Sequence, residues 1–284
     1  MKRLLSLCLA LATLCAPYAA HAAAESMSER ELKRILQRER TIIAAAQSAG
    51  EAMDRGNTEM QLREVVQEYE SLLRRDPQFI AGFIAYGLFL NNAGEAKRAY
   101  AIFKKAEKIE PELAVIKNQL GNHHAEEGEY EKALTYYQGS VALEPKEALY
   151  HYQLGTLLYE FREFFIDAKL FTRDALLTRC GEAFARAAEL APDNIAYTYR
   201  HAESFYDLPT PDWPGALAAW KAIEQRTKAG VEQETILLQE ANVLIQLGQP
   251  DTARAVLERV TAEPLQTNKK KLVDQLGVTP DKAP

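Results

Sequence analysis

One spacing constrains this chain more than any other feature. The set Phe83-x-x-Tyr86-Gly87-x-x-Leu90, Gly94, Ala99-x-x-x-Phe103 and Pro111 returns as Lys117-x-x-Leu120-Gly121-x-x-His124, Gly128, Ala133-x-x-x-Tyr137 and Pro145. Each member of the second set lies 34 residues after its counterpart. A fixed period of this length marks an array of units that cannot bury their apolar faces alone and must stack. Within a unit the apolar residues recur at helical spacing, so each unit reads as a helical hairpin. First helices are predicted near 80–92 and 114–126, second helices near 96–109 and 130–143. Gly87, Gly121, Ala99 and Ala133 allow the paired helices to approach closely. Phe103 and Tyr137 fill the space between units. Gly94 and Gly128 end the first helices in the left-handed conformation that glycine tolerates. Pro111 and Pro145 cannot donate an amide to the second helix and mark the start of the next unit.

The period also measures the rest of the chain. A third unit opens on register with His151-x-x-Leu154-Gly155-x-x-Leu158, but Cys180-x-x-x-Phe184, Ala187 and Pro192 arrive late, 13 residues beyond the period. The excess falls in Phe161–Arg173, which lacks Gly and Pro and carries Phe161, Phe164, Phe165, Ile166, Leu170 and Phe171. It reads as a helical extension plus a turn. An apolar insertion either packs on the array or waits for a partner, and the sequence leaves both open. Cys180 stands in register with Ala99 and Ala133, which predicts a small buried residue. A fourth, degenerate unit carries Tyr199, Ala202 and Phe205, a stiff turn over Leu208–Pro214, and Ala216-x-x-x-Trp220. A fifth carries Leu237, Ala241, Leu244, Gly248, Ala253-x-x-x-Leu257 and Pro264. A short helix near Gln266–Leu276 is expected to close the end.

Upstream, Ser26 to about Arg55 reads as a helix ended by Gly56-Asn57, with Ser26-x-x-Glu29 and Ser28-x-x-Glu31 as capping boxes. A second helix stops at Asp76-Pro77, and Pro77 is in phase with Pro111. Val65 and Met53 replace the small residue and the glycine, as expected of an atypical first unit. Before it, Lys2 and Arg3, the apolar run Leu4–Ala16, Pro17 and Ala20-His21-Ala22 read as a secretory signal peptide. Cleavage is expected after Ala22, with Ala24 as the alternative. Leu14 is too bulky for a lipoprotein signal that would use Cys15. The apolar run is shorter than the roughly 20 residues a bilayer span requires, so no transmembrane segment is expected after cleavage. Loss of Cys8 and Cys15 leaves Cys180 alone, with no internal disulfide framework. The expectation is an exported protein, periplasmic or extracellular.

These motifs resemble the tetratricopeptide repeat (TPR) family over about Thr41 to Pro264, most closely over Phe79 to Pro192. The resemblance implies an all-α fold, an α-solenoid of antiparallel helix pairs (a TPR superhelix) with about five to six hairpins plus a capping helix, in an exported bacterial-type TPR protein. The implied layout is a signal peptide over 1–22, the start of an N-terminal helix over 23–40, and the array over 41–264. Its units are about 41–77 (atypical), 80–113, 114–147, 148–192 with the insertion 161–173, 195–229 and 233–264. A capping helix and disordered tail occupy 265–284. In this family the first helices line a concave groove, which points to Asn118 and Asn122, then Tyr152, Thr156 and Tyr159, then Tyr199, Glu203 and Tyr206. Asn can bond an extended peptide backbone, and Tyr offers stiff contact area with a polar tip. Phe164, Phe165 and Phe171 of the insertion complete the candidate partner-binding set. One subset of the family clamps C-terminal carboxylates with Lys, Asn and Arg. Asn122 matches one such Asn, but Leu149 and Gln153 stand where that clamp has positive charge, so its specificity is not carried over.

The chain shows no phosphate loop, nucleophile elbow or zinc-protease helix. His123 and His124 are adjacent, so on a helix they point about 100° apart and do not readily share a metal. No catalytic residue, cofactor or metal is expected. A formal charge of −6 and a pI near 5.6 argue against nucleic acid as a partner. The functional expectation is a non-enzymatic protein- or peptide-binding scaffold or adaptor in the bacterial envelope. The alternative is an assembly or accessory factor that docks on an envelope complex through the aromatic insertion or the convex face. A stand-alone enzyme is the third reading.

Overall fold

The computed structural model describes residues 25–50 and 53–277. The expected signal segment over 1–22 and the end of the expected tail over 278–284 lie outside the described residues. Regular structure among the described residues is wholly helical, with 14 α-helices and a short 3₁₀ turn at Glu263–Leu265. The chain divides into two compact units, one through His123 and one from His124.

In the first unit, α1 (Met27–Ala49) pairs with α2 (Arg55–Arg75), and α3 (Ile80–Asn92) pairs with α4 (Ala96–Ile109). The helix start at Ser26 is a true capping box: the Glu29 amide donates to Ser26 Oγ (3.1 Å) and the Ser26 amide to Glu29 Oε2 (2.7 Å). The second expected box does not form, because the Ser28 hydroxyl donates instead to Asp76 (2.6 Å). The helix also ends earlier than the sequence predicts, at Ala49. Gly56 and Asn57 fall in the first turn of α2, because Asp54 accepts from the Asn57 amide (3.0 Å) and caps that helix. α1 runs unbroken through Thr41, so this hairpin begins at Met27. Ile35, Val65, Tyr69 and Leu72 form its core, where the Tyr69 hydroxyl donates to buried Glu39 (3.1 Å). Between α3 and α4, a Cβ on Gly87 would stand 2.6 Å from the Phe103 ring, so the pair closes only over a glycine. The first part of α5 (Ala114–Glu126) lies against this hairpin. His123 stacks on Tyr100 (4.1 Å), and Asn91 Nδ2 donates to Gln119 (3.0 Å).

The second unit continues with α6 (Tyr130–Leu143) and α7 (Ala148–Glu160), which pairs with the long α9 (Arg173–Leu190). The 13 extra residues of the third unit form a break at Phe161, the short helix α8 (Arg162–Asp167), a turn, and an extension that brings α9 to 18 residues, against 14 in α4 and α6. The Thr172 hydroxyl accepts from the Ala175 amide (3.3 Å) and starts α9. The insertion packs on its own hairpin: Phe165 is fully buried in one core with Leu158, Leu176 and Phe184.

The turn after α8 contains a non-glycine residue in the left-handed region, Lys169 with φ 58°. Its amide donates to the Ile166 carbonyl (2.9 Å) and the Leu170 amide to the Phe165 carbonyl (3.0 Å). The same paired bonds close α3 at Gly94 and α12 (Val231–Gln246) at Gly248. Lys169 thus does a glycine's work while paying the steric cost of a Cβ, about 1–2 kcal/mol. Lys169→Gly is expected to stabilise the protein by about 0.5–1 kcal/mol in a denaturant titration, since the wider freedom of the unfolded glycine offsets part of the relief.

The degenerate fourth unit is α10 (Ile195–Ser204), a loop, and α11 (Trp213–Glu224), started by Asp212 accepting from the Gly215 amide (2.9 Å). Trp220 is its fully buried centre. α12 pairs with α13 (Pro250–Glu258), and α14 (Gln266–Gly277) lays Leu272 and Leu276 on their shared core. Glu234 ties this end down by accepting from the amides of Thr261 and Ala262, both at 2.6 Å. No described helix is long and apolar enough to cross a membrane.

Candidate functional site

Six of the predicted groove residues come together in the second unit, on α7, α10 and the loop that follows. Arg200 links α7 to α10. Its guanidinium lies 4.4 Å from the centre of the Tyr159 ring and 4.9 Å from that of Phe184, and it pairs with Glu203. Arg162 approaches the same Tyr159 ring at 4.9 Å and donates to the Tyr159 carbonyl (2.9 Å). Two cations therefore attend one aromatic ring, an attraction of about 0.5–1 kcal/mol each where partly solvated.

The other tyrosines are held from behind. Tyr199 accepts from Gln239 Nε2 of α12 (3.1 Å) and meets the Trp220 ring edge-on at 4.6 Å. The Tyr206 hydroxyl accepts from Trp220 Nε1, and its ring lies 5.4 Å from that of Trp213. Burial raises both phenols above their ordinary value, so they remain neutral hydroxyls. Each accepts from an N–H, which leaves its own O–H proton as a donor. Tyr152 packs on Tyr197 (4.6 Å) and Phe184 (6.0 Å), and the Thr156 hydroxyl donates to the Tyr152 carbonyl (2.8 Å). The result is a half-buried strip of aromatic rings with polar tips, fixed by α9, α11 and α12.

Two predicted residues, Asn118 and Phe165, lie in the interior, and Asn122 lies apart from the other six. Asn118 is 1% exposed, whereas Tyr152, one period later, is half-buried; the shorter side chain does not reach the surface. Asn122 is half-buried in the first unit. Phe165 is 0% exposed and is core. Of the insertion's other aromatics, Phe164 is 39% exposed with its ring edge-on to Tyr130 (5.1 Å), and Phe171 is half-buried under the Arg179 guanidinium (5.7 Å). Leu170, 47% exposed, extends this apolar edge. Sequence reading missed Arg162, Arg200 and Gln239, because none of them recurs with the period.

Of the described histidines, His124 and His151 have local polar partners, whereas His201 lies against the Phe205 ring (4.8 Å) with its Nδ1 buried and unbonded. His124 stacks on Tyr136 (5.2 Å) with Nδ1 2.5 Å from Glu129. The His151 ring bonds the Pro145 carbonyl (3.0 Å), and burial lowers the pKa of His201. Among the described residues, no group of three or more His, Cys, Asp or Glu could hold a metal ion. Cys180 is buried, and burial pushes its thiol up to about 12. It is expected to resist a disulfide exchange reagent in the native protein and to react fully in denaturant, since the thiolate is the nucleophile.

No family model matches the chain, and no curated protein matches it. Solved structures do. YrrB, a TPR protein with an unusual peptide-binding site, superposes with a TM-score of 0.59 at 14% identity, covering 72% of this chain and 97% of that one. The chain has the tetratricopeptide-repeat fold. PilF of Pseudomonas aeruginosa shares this TPR fold with a TM-score of 0.56 at 16% identity, over 84% of this chain and 99% of its own. PilW, a widely conserved type IV pilus biogenesis factor, matches with a TM-score of 0.56 at 14% identity, over 88% and 100%. At these identities the likeness establishes the fold alone.

Proposed function

We propose that this TPR protein is a binding scaffold or adaptor that holds a protein or peptide partner on the face built by Tyr152, Thr156, Tyr159, Tyr199, Glu203 and Tyr206, without turnover and without a cofactor. The observation that carries the reading is the support behind that face. Arg200, Gln239 and Trp220 hold three tyrosines in place before any ligand arrives. Rigid aromatic anchors with polar tips lose little freedom on binding, and such pre-organisation raises affinity. The peptide-binding site of YrrB supports a peptide ligand for this fold. An envelope setting is supported by the N-terminal segment and by PilW's role in pilus biogenesis.

A second reading has its own observation. Phe164 and Leu170 form an exposed apolar edge on the insertion, suited to docking on a larger complex. Affinity isolation from envelope extract separates the two. Under the first reading, the triple variant Tyr152→Ala, Tyr159→Ala and Tyr199→Ala loses the partner recovered by the wild type, while Phe164→Ala retains it. Unchanged recovery with the triple variant contradicts the first reading, and loss with Phe164→Ala alone favours the second.

A further inference from the structure

The seam between α11 and α12 buries a carboxyl group with no cation of its own. Glu240 of α12 is 2% exposed, and its Oε1 has no hydrogen-bond partner. Its carboxyl faces that of Glu224, the last residue of α11. Glu224 in turn accepts from Arg259, just past α13. The charged groups around Glu240 are thus Glu224 and Lys221 from α11 and Arg259 from the end of α13. α14 directs Lys269 to the Val260 carbonyl (2.8 Å) and toward Glu234, and α10 contributes Tyr199, bonded to Gln239. A buried carboxylate and a partly buried one facing each other repel, and a proton on Glu240 removes the repulsion.

The same seam supports the tyrosine face. Trp220 lies one helical turn before Glu224 and donates to Tyr206. Gln239, next to Glu240 in the chain, donates to Tyr199. We propose that Glu240 and Glu224 form a proton-operated latch. With a proton on Glu240, α12 closes on α11; without it, the seam loosens, and with it the Trp220 and Gln239 donors that hold Tyr206 and Tyr199. The latch stands on the buried pair, and its consequence for ligand binding rests on the reading of the tyrosine face.

Burial, reinforced by the Glu224 charge, raises the Glu240 carboxyl to about 7. The native protein then keeps a proton that the unfolded chain releases in the ordinary carboxylate range. Stability is therefore lost as pH rises through that interval, and the penalty is complete above it.

The chain has two tryptophans, so Trp213→Phe leaves Trp220 as the sole emitter. Between about pH 5 and about pH 9, its emission is expected to move to the red with one midpoint at about 7. Glu240→Gln in the same background removes the transition and keeps the short-wavelength emission, and Glu224→Gln moves the midpoint down. Emission that is flat in the Trp213→Phe protein, or a transition that survives Glu240→Gln, overturns the latch. Should Glu240→Gln not fold, carbon-13 glutamate spectra of the wild type decide. One carboxyl carbon titrating far above the rest supports the latch, and all titrating together overturns it. Recovery of the partner from envelope extract by affinity isolation over the same range tests the coupling. Recovery that ignores an emission transition leaves the latch standing and contradicts the tyrosine-face reading.

Discussion

Phe165→Ala is expected to lower the free energy of unfolding by about 3–5 kcal/mol. The ring has no exposed surface and touches Phe164 and Phe171 edge-on at 5.4 and 6.1 Å within a core that includes Leu158, Leu176 and Phe184. Its removal leaves a cavity that the flanking helices cannot collapse into, because α7 and α9 are already in contact. Phe164→Ala, one residue away, should cost about 1 kcal/mol or less, since its ring keeps much of its surface in water. Urea titrations of the two variants give the comparison. Similar losses would mean that the insertion lies on the surface and that its packing against α7 and α9 is wrong.

Gly87→Ala is the second large effect. The new Cβ would meet Phe103 at 2.6 Å, well inside van der Waals contact, and the ring atom it meets belongs to a fully buried side chain. Overpacking of this kind costs about 1–3 kcal/mol even though alanine is the better helix former. Phe103→Leu should relieve part of the clash, so the double variant is expected to be more stable than the sum of the single losses predicts. Strict additivity in thermal unfolding would show that the two positions do not touch.

The repeat frame was legible because the period records contacts that recur. Gly87 against Phe103 and Gly155 against Phe184 are the same close approach of a first helix to a second, repeated one insertion apart. Helix ends were legible where the period supplied a glycine, and misread where two end signals competed. Gly56-Asn57 resembles a stop, but the Asp54 carboxylate one turn earlier makes it a start. Lys169 could not be seen at all, since nothing in its identity announces a left-handed turn.

The candidate site was half legible. Spacing along the first helices put Tyr152, Tyr159 and Tyr199 on one side of α7 and α10, where the structure leaves them half-buried, whereas Tyr206 falls in the loop past the end of α10. The groups that fix them did not appear. Arg200 reaches Tyr159 across 41 residues and Gln239 reaches Tyr199 across 40, distances at which sequence pattern carries no information on pairing. Asn118 was placed on the face by the same spacing rule and fails for size. The buried Glu240 was invisible for the converse reason: a glutamate in a helix reads as solvated surface until its neighbours are known.

Site-specific photo-crosslinking tests the scaffold reading most directly. A photoreactive phenylalanine analogue is placed at Thr156 on α7, at Phe164 on the insertion, and at exposed Glu182 on α9 as a control, and the crosslinked products are identified by mass spectrometry. The tyrosine-face account predicts crosslinks from position 156 to one defined segment of a partner, lost when Tyr159 and Tyr199 are changed to Ala, and none from position 182. Crosslinks from position 182 or 164 with none from position 156 would contradict it.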